Sequence, residues 1–125
     1  MENIADFLFE TGMLAKTPRS GYQFLGSGRE TVAEHILRTV YVGYVLCKIN
    51  SSLDELRVLK MCILHDLPEA RTGDMNYVNK KYVQVDEAKA VRELTQSVFF
   101  GDDIKQAIDE FNARQTPESL AARDA

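Results

Sequence analysis

The 125-residue sequence predicts an all-α fold, a single-domain bundle of about six to seven helices. Three observations carry the expectation. Apolar residues recur at helical spacing in successive stretches, and none of these stretches alternates as a half-buried strand does. Helix-capping residues stand ahead of several of the stretches. The chain is also long enough to bury a core without disulfide or metal staples.

The first helix opens at Asn3 and covers residues 3–15, with Ile4, Phe7, Leu8, Gly12 and Leu14 near 3.6 spacing. Lys16 to Gly21 reads as a loop from its Pro, Ser and Gly, and Tyr22, Phe24 and Leu25 are expected to tuck it against the body. Thr31 and Glu34 have capping-box spacing, so a second helix starts there. From Val32 to Ile49 it is apolar nearly all round, which predicts a central, buried helix. Tyr41 and Tyr44 on it read as packing residues.

Ser52-Leu53-Asp54-Glu55 repeats the capping pattern and opens a third helix, with Leu56, Leu59 and Ile63 toward the core. Pro68 disrupts that helix just after Asp66. Residues 70–74 form a turn closed by Gly73, and residues 75–85 read as loop, with Lys80 and Lys81 solvated. Helical pattern returns over 86–100, where Ala90, Leu94 and Val98 share a stripe and Gly101 ends the segment. Residues 102–113 supply another helix with Ile104, Ala107, Ile108 and Phe111 inward. Thr116-Pro117-Glu118 then gives an N-cap, a proline at the first helical position and an acidic first turn for a last helix.

The net charge of −4 argues against bulk nucleic-acid binding, which needs a basic stripe. No apolar run reaches the roughly 18 residues of a membrane span, and the first residues lack a basic n-region. Cys47 and Cys62 fall in apolar helical runs and read as buried thiols. These features predict a cytoplasmic protein that works without a membrane.

The chemistry concentrates around the two histidines. His65 stands beside Asp66 at the end of an apolar run, with Glu69 three residues on, and His35 lies near the start of the second helix. The helix breaker at Asn50-Ser51-Ser52 lies midway between them. In an antiparallel hairpin each histidine sits about 15 residues, roughly 22 Å, from the turn, so the two reach the same height. Imidazole and carboxylate together suit Mn, Fe, Co, Ni or Zn rather than Ca.

Four blocks, in order, are Pro18-Arg19-Ser20-Gly21-Tyr22, Glu30-Thr31-Val32-Ala33-Glu34-His35, His65-Asp66-Leu67-Pro68-Glu69-Ala70 and Thr72-Gly73-Asp74. With them the chain resembles the HD-domain metal-dependent phosphohydrolases, especially their 5′-deoxynucleotidase branch, from about Ile4 to Ala125. The resemblance implies that His35, His65 and Asp66 hold one divalent transition metal, Mn, Co, Fe, Ni or Zn. A metal so held lowers the pKa of a water, which attacks a phosphomonoester. Glu69 matches the family's catalytic acid–base residue, and Asp74 a residue that contacts the sugar hydroxyl or supports the nucleophile. Arg19 matches the phosphate-binding arginine, whose paired donors suit phosphate oxygens better than a lysine.

The implied function is hydrolysis of nucleoside 5′-monophosphates. The alternatives are a hydrolase of nucleotide polyphosphates or cyclic nucleotides, and a non-catalytic helical module that senses nucleotide. The implied partner is a small nucleotide rather than a nucleic acid, and a homodimer is left open. The family's distal acidic ligand aligns with position 126, one beyond Ala125. The domain of residues 1–125 is therefore expected to lack its C-terminal helices, and Asp124, about 160° round the helix from that position, is not assigned to the metal.

Overall fold

The computed structural model describes residues 2–125, and among them it contains seven α-helices and no strand. They are α1 (Glu2–Thr11), α2 (Val32–Ile49), α3 (Glu55–Leu64), α4 (Glu69–Thr72), α5 (Glu87–Thr95), α6 (Gly101–Ala113) and α7 (Pro117–Asp124). Short 3-10 turns follow α1 at Gly12–Ala15 and punctuate the loops at Ser20–Phe24 and Asn79–Lys81. No described helix is long and apolar enough to cross a membrane.

The α2–α3 hairpin positions the site. Thr31 caps α2, its hydroxyl accepting the Glu34 amide, and α2 closes at Asn50. Asp54 caps α3 by accepting the Arg57 amide at 3.2 Å. The two helices run closest where Gly43 faces Cys62 and Val58: a Cβ on residue 43 would stand 2.7 Å from the Cys62 sulfur. Val58 and Cys62 are fully buried there. Each apolar side chain of that size contributes about 1.5–3 kcal/mol on burial.

Two clusters fill the core. Val58, Met61 and Cys62 of α3 pack with Cys47, Ala107 and Ala122, joining α3 to α2, α6 and α7. Val32 and Leu67 pack with Leu14 and with Val91, Leu94, Ile104 and Ile108 from α5 and α6. Glu118 is buried at the start of α7, where it accepts the Asp54 amide and pairs with Arg57 at 3.1 Å. That contact ties the last helix to the first turn of α3.

Several local expectations are corrected. The first helix is α-helical only to Thr11 and tightens into a 3-10 turn thereafter. Asp54, not Ser52, caps α3. The core face of α3 is Val58, Met61 and Cys62, whereas Leu56 and Ile63 are exposed. Both faces of α3 carry apolar residues, and the close approach at Gly43 decides which one turns inward.

Helix α2 is not buried all round. Leu37, Tyr41, Tyr44 and Val45 are exposed, because α2 meets its neighbours through one face, with Val32, Thr39, Gly43 and Cys47 buried and Ala33, Ile36 and Val40 packed beside them. Tyr41 and Tyr44 are therefore not core packing. Phe24 and Leu25 are also exposed rather than tucked in. Gly101 begins α6 instead of ending the helix before it, which stops at Thr95. A Cβ at residue 101 would lie 2.1 Å from the Thr95 carbonyl oxygen, so only glycine lets α6 start directly against the end of α5.

Candidate metal centre

His35 lies one turn into α2, and His65 follows the last residue of α3. The hairpin brings their rings to 6.0 Å, centroid to centroid, across the two helices. Asp66 sits in the break between α3 and α4, where the chain no longer holds side chains to one helical stripe. Its Oδ2 stands 3.5 Å from His35 Nε2 and 3.2 Å from His65 Nε2. One donor atom from each of the three residues falls within 4.8 Å of the others. Asp124, exposed at the end of α7, is not among them.

The donor chemistry fits a cation. His65 Nδ1 lies 3.0 Å from the carbonyl oxygens of both Met61 and Cys62. Those oxygens only accept, so the ring proton belongs on Nδ1 and the lone pair on Nε2. That nitrogen faces the Asp66 carboxylate, another acceptor, at 3.2 Å, so either a proton on Nε2 or a bound cation sits between the two. Donors about 2.0–2.2 Å from one ion stand roughly 2.8–3.6 Å from each other, a range that includes the 3.5 and 3.2 Å between Asp66 and the two histidines.

Arg19 reaches the centre from the other side through backbone contacts. Residues 17–19 run antiparallel to 30–32 through a Pro18–Thr31 bridge, the Arg19 amide donating to the Glu30 carbonyl at 2.8 Å and the Val32 amide to Thr17. The Ser20 amide donates to Asp74 Oδ2 at 2.9 Å, and the Asn76 side-chain amide donates to the Ser20 carbonyl at 3.4 Å. Arg19 itself lies 3.4 Å from Glu30 and 4.0 Å from Asp74. Its Nη1, Ser20 Oγ and Glu69 Oε2 are buried without a hydrogen-bond partner. Buried orphan donors and acceptors in one region are the groups a polar ligand satisfies.

The charges are strongly coupled. Burial raises the Glu69 pKa from 4.5 to about 8, and the Asp66 and Asp74 carboxylates add to the rise. Burial opposes the charged form of Asp66, yet the His65 hydrogen bond and the neighbouring histidines hold its pKa below the usual value. Burial likewise disfavours protonated His65, but Asp66 and the two carbonyls outweigh it and raise the pKa. His35 is shifted down, first by burial and then by the Arg19 charge.

Thus His35, His65 and Asp66 meet at one point, with Glu69, Asp74 and Arg19 around them. Sequence reasoning gave no role to Asn76, Glu30 or Ser20. An asparagine two residues before the next polar turn is an Asx-turn signal, and Asn76 Oδ1 does accept the Val78 and Asn79 amides.

The HD domain family model matches residues 11–125. The chain belongs to the HD domain family. It is 28% identical over 132 residues to the 5′-deoxynucleotidase hdd1 of Schizosaccharomyces pombe, covering 98% of this chain and 66% of that one. It is 26% identical to the 5′-deoxynucleotidase HDDC2 of Dictyostelium discoideum, covering 99% and 72%. The chain thus spans about two thirds of the length of these curated relatives. Among solved structures, a conserved hypothetical protein from Pyrococcus furiosus superposes with a TM-score of 0.85 at 25% identity, over 96% of this chain and 73% of that one.

Proposed function

We propose that this protein is a metal-dependent phosphohydrolase that releases phosphate from nucleoside 5′-monophosphates, the class of activity its relatives' names describe. The observation that carries the reading is the seating of Arg19. A guanidinium whose buried Nη1 has only an ion pair with Glu30 at 3.4 Å, and no hydrogen bond, is pinned beside three convergent metal donors, in a chain of net charge −4. A phosphate dianion satisfies both halves at once.

His35, His65 and Asp66 hold one divalent cation, which supplies Lewis acidity toward a water and a phosphoryl oxygen. Its identity falls among Mn, Fe, Co, Ni and Zn. Arg19 binds and orients the phosphate. Glu69, its carboxyl pKa pushed up by burial to about 8 in the metal-free protein, holds or moves a proton between the water and the leaving oxygen. Asp74 keeps the Arg19 loop closed through the Ser20 amide and offers its other oxygen to the sugar. Two free, buried cysteines suit a reducing cytoplasm.

The test is metal analysis and phosphate release on the wild type, His65→Ala and Asp66→Ala. The wild type should hold about one divalent ion and release phosphate from a nucleoside 5′-monophosphate. Each variant should lose most of both while keeping its helical circular dichroism. A wild type that holds no metal, with variants that unfold, makes His65 and Asp66 structural residues instead.

A further inference from the structure

The metal donors and Arg19 account for a phosphate and Asp74 for the sugar, but nothing so far receives the nucleobase. A cleft of about 420 Å³ opens beside them, lined by Arg19 and Asp74 and, beyond these, by Tyr22, Leu25, Asn76 and Tyr77. That volume lies within the range of small-molecule sites. The Tyr22 ring is backed by Gly28, where an added Cβ would come within 3.3 Å of it. The Tyr77 ring, 70% exposed, is steadied by Phe24 at 5.9 Å between centroids. Two phenol rings on separate loops thus face one cleft, and the bond from Asn76 to the Ser20 carbonyl holds those loops together.

The polar groups there are largely committed. Asn76 spends its oxygen on the Val78 and Asn79 amides and its nitrogen on Ser20, and one Asp74 oxygen takes the Ser20 amide. Apart from the Arg19 guanidinium and the phenol hydroxyls at the ring tips, no side-chain donor lining the cleft is free. Flat aromatic walls bind a planar ring by its face. We propose that this cleft is a base-stacking subsite, in which Tyr22 and Tyr77 take up the nucleobase of a nucleotide whose phosphate lies at Arg19. The assignment rests on the reading of Arg19 as a phosphate ligand. It implies that purine and pyrimidine nucleotides are accepted alike.

The manganese-loaded protein is assayed on 2′-deoxyadenosine 5′-monophosphate and on 2-deoxyribose 5-phosphate, which lacks the base. Tyr77→Ala should raise KM for the nucleotide about tenfold, leave kcat within about twofold, and leave KM for the sugar phosphate unchanged. Tyr22→Leu should act in the same direction. An equal rise for both esters, or no rise for the nucleotide, overturns the subsite. If the wild type hydrolyses neither ester, the phosphohydrolase reading fails and calorimetric binding decides the subsite alone. Tighter binding of the nucleotide than of the sugar phosphate, abolished in Tyr77→Ala, supports it; equal binding, or none, overturns it.

Discussion

The Phe111 ring of α6 lies against the His65 imidazole, with centroids 4.5 Å apart and planes tilted by 32°. The same ring carries the Arg123 guanidinium at 4.2 Å. His65 is therefore held by carbonyls at Nδ1 and by an aromatic face, which leaves Nε2 aimed at Asp66. Phe111→Leu keeps an apolar side chain but removes the flat support. It should weaken metal binding by about tenfold, the low end of the range for groups that orient a ligand from behind, because the carbonyls at Nδ1 remain. Stability should fall by about 1 kcal/mol. Metal titration followed by urea unfolding separates the two effects; unchanged affinity would mean the carbonyls alone orient the ring.

Gly43 sets the spacing of the hairpin that carries both histidines. Gly43→Ala gains about 1 kcal/mol of helix propensity, yet its methyl collides with the Cys62 sulfur. We expect a net loss of about 1–2 kcal/mol, since overpacking a filled core outweighs the propensity gain. Combining it with Cys62→Ala should recover part of that loss, because the second change removes the colliding atom. A double-mutant cycle in urea checks the coupling, and strict additivity would rule out the clash.

Glu69 gives a pH-dependent term in the metal-free protein. Its folded pKa, raised to about 8 by burial first, makes the native state hold a proton that the unfolded chain has released above about pH 4.5. This term costs nothing below pH 4.5, grows as pH rises toward 8, and is constant above. Glu69→Gln removes it. The chelator-treated variant should gain on the wild type across that window by roughly 2 kcal/mol, after discounting the full shift for a partly open site. Parallel stability curves from pH 5 to 8 would show that Glu69 is not proton-bound in the fold.

Arg19 and Glu69 should separate kinetically. With Arg19 as the proposed phosphate ligand, Arg19→Ala is expected to raise KM by about tenfold or more, with a smaller effect on kcat. Glu69→Gln should lower kcat by about a hundredfold or more, with metal content near that of the wild type. Steady-state kinetics with metal analysis decide it, and the opposite split would exchange the two roles.

Much of this architecture was legible in the sequence because it depends on short-range rules. The caps at Thr31 and Thr116, the proline at residue 117, and the equal spacing of His35 and His65 from Asn50 are local facts, and the structure keeps them. Which face of a helix is buried is not local. α2 and α3 carry apolar residues on opposite sides, and only the approach at Gly43 selects one. The ring behind His65 comes from α6, and the amide at Ser20 is held from 54 residues away. No periodicity within one segment records such contacts.

The loop bearing Arg19 is fastened to the body largely by main-chain groups: the Arg19 and Ser20 amides and the Thr17 and Ser20 carbonyls. Peptide groups are the same whatever side chain they carry. Replacing the residues from Gly21 to Leu25 therefore alters what the loop presents to a ligand without unfastening it or disturbing His35, His65 and Asp66. On the proposed reading, selectivity and metal binding would sit on separately mutable parts, and the chain could acquire a taste for a new ester one loop substitution at a time.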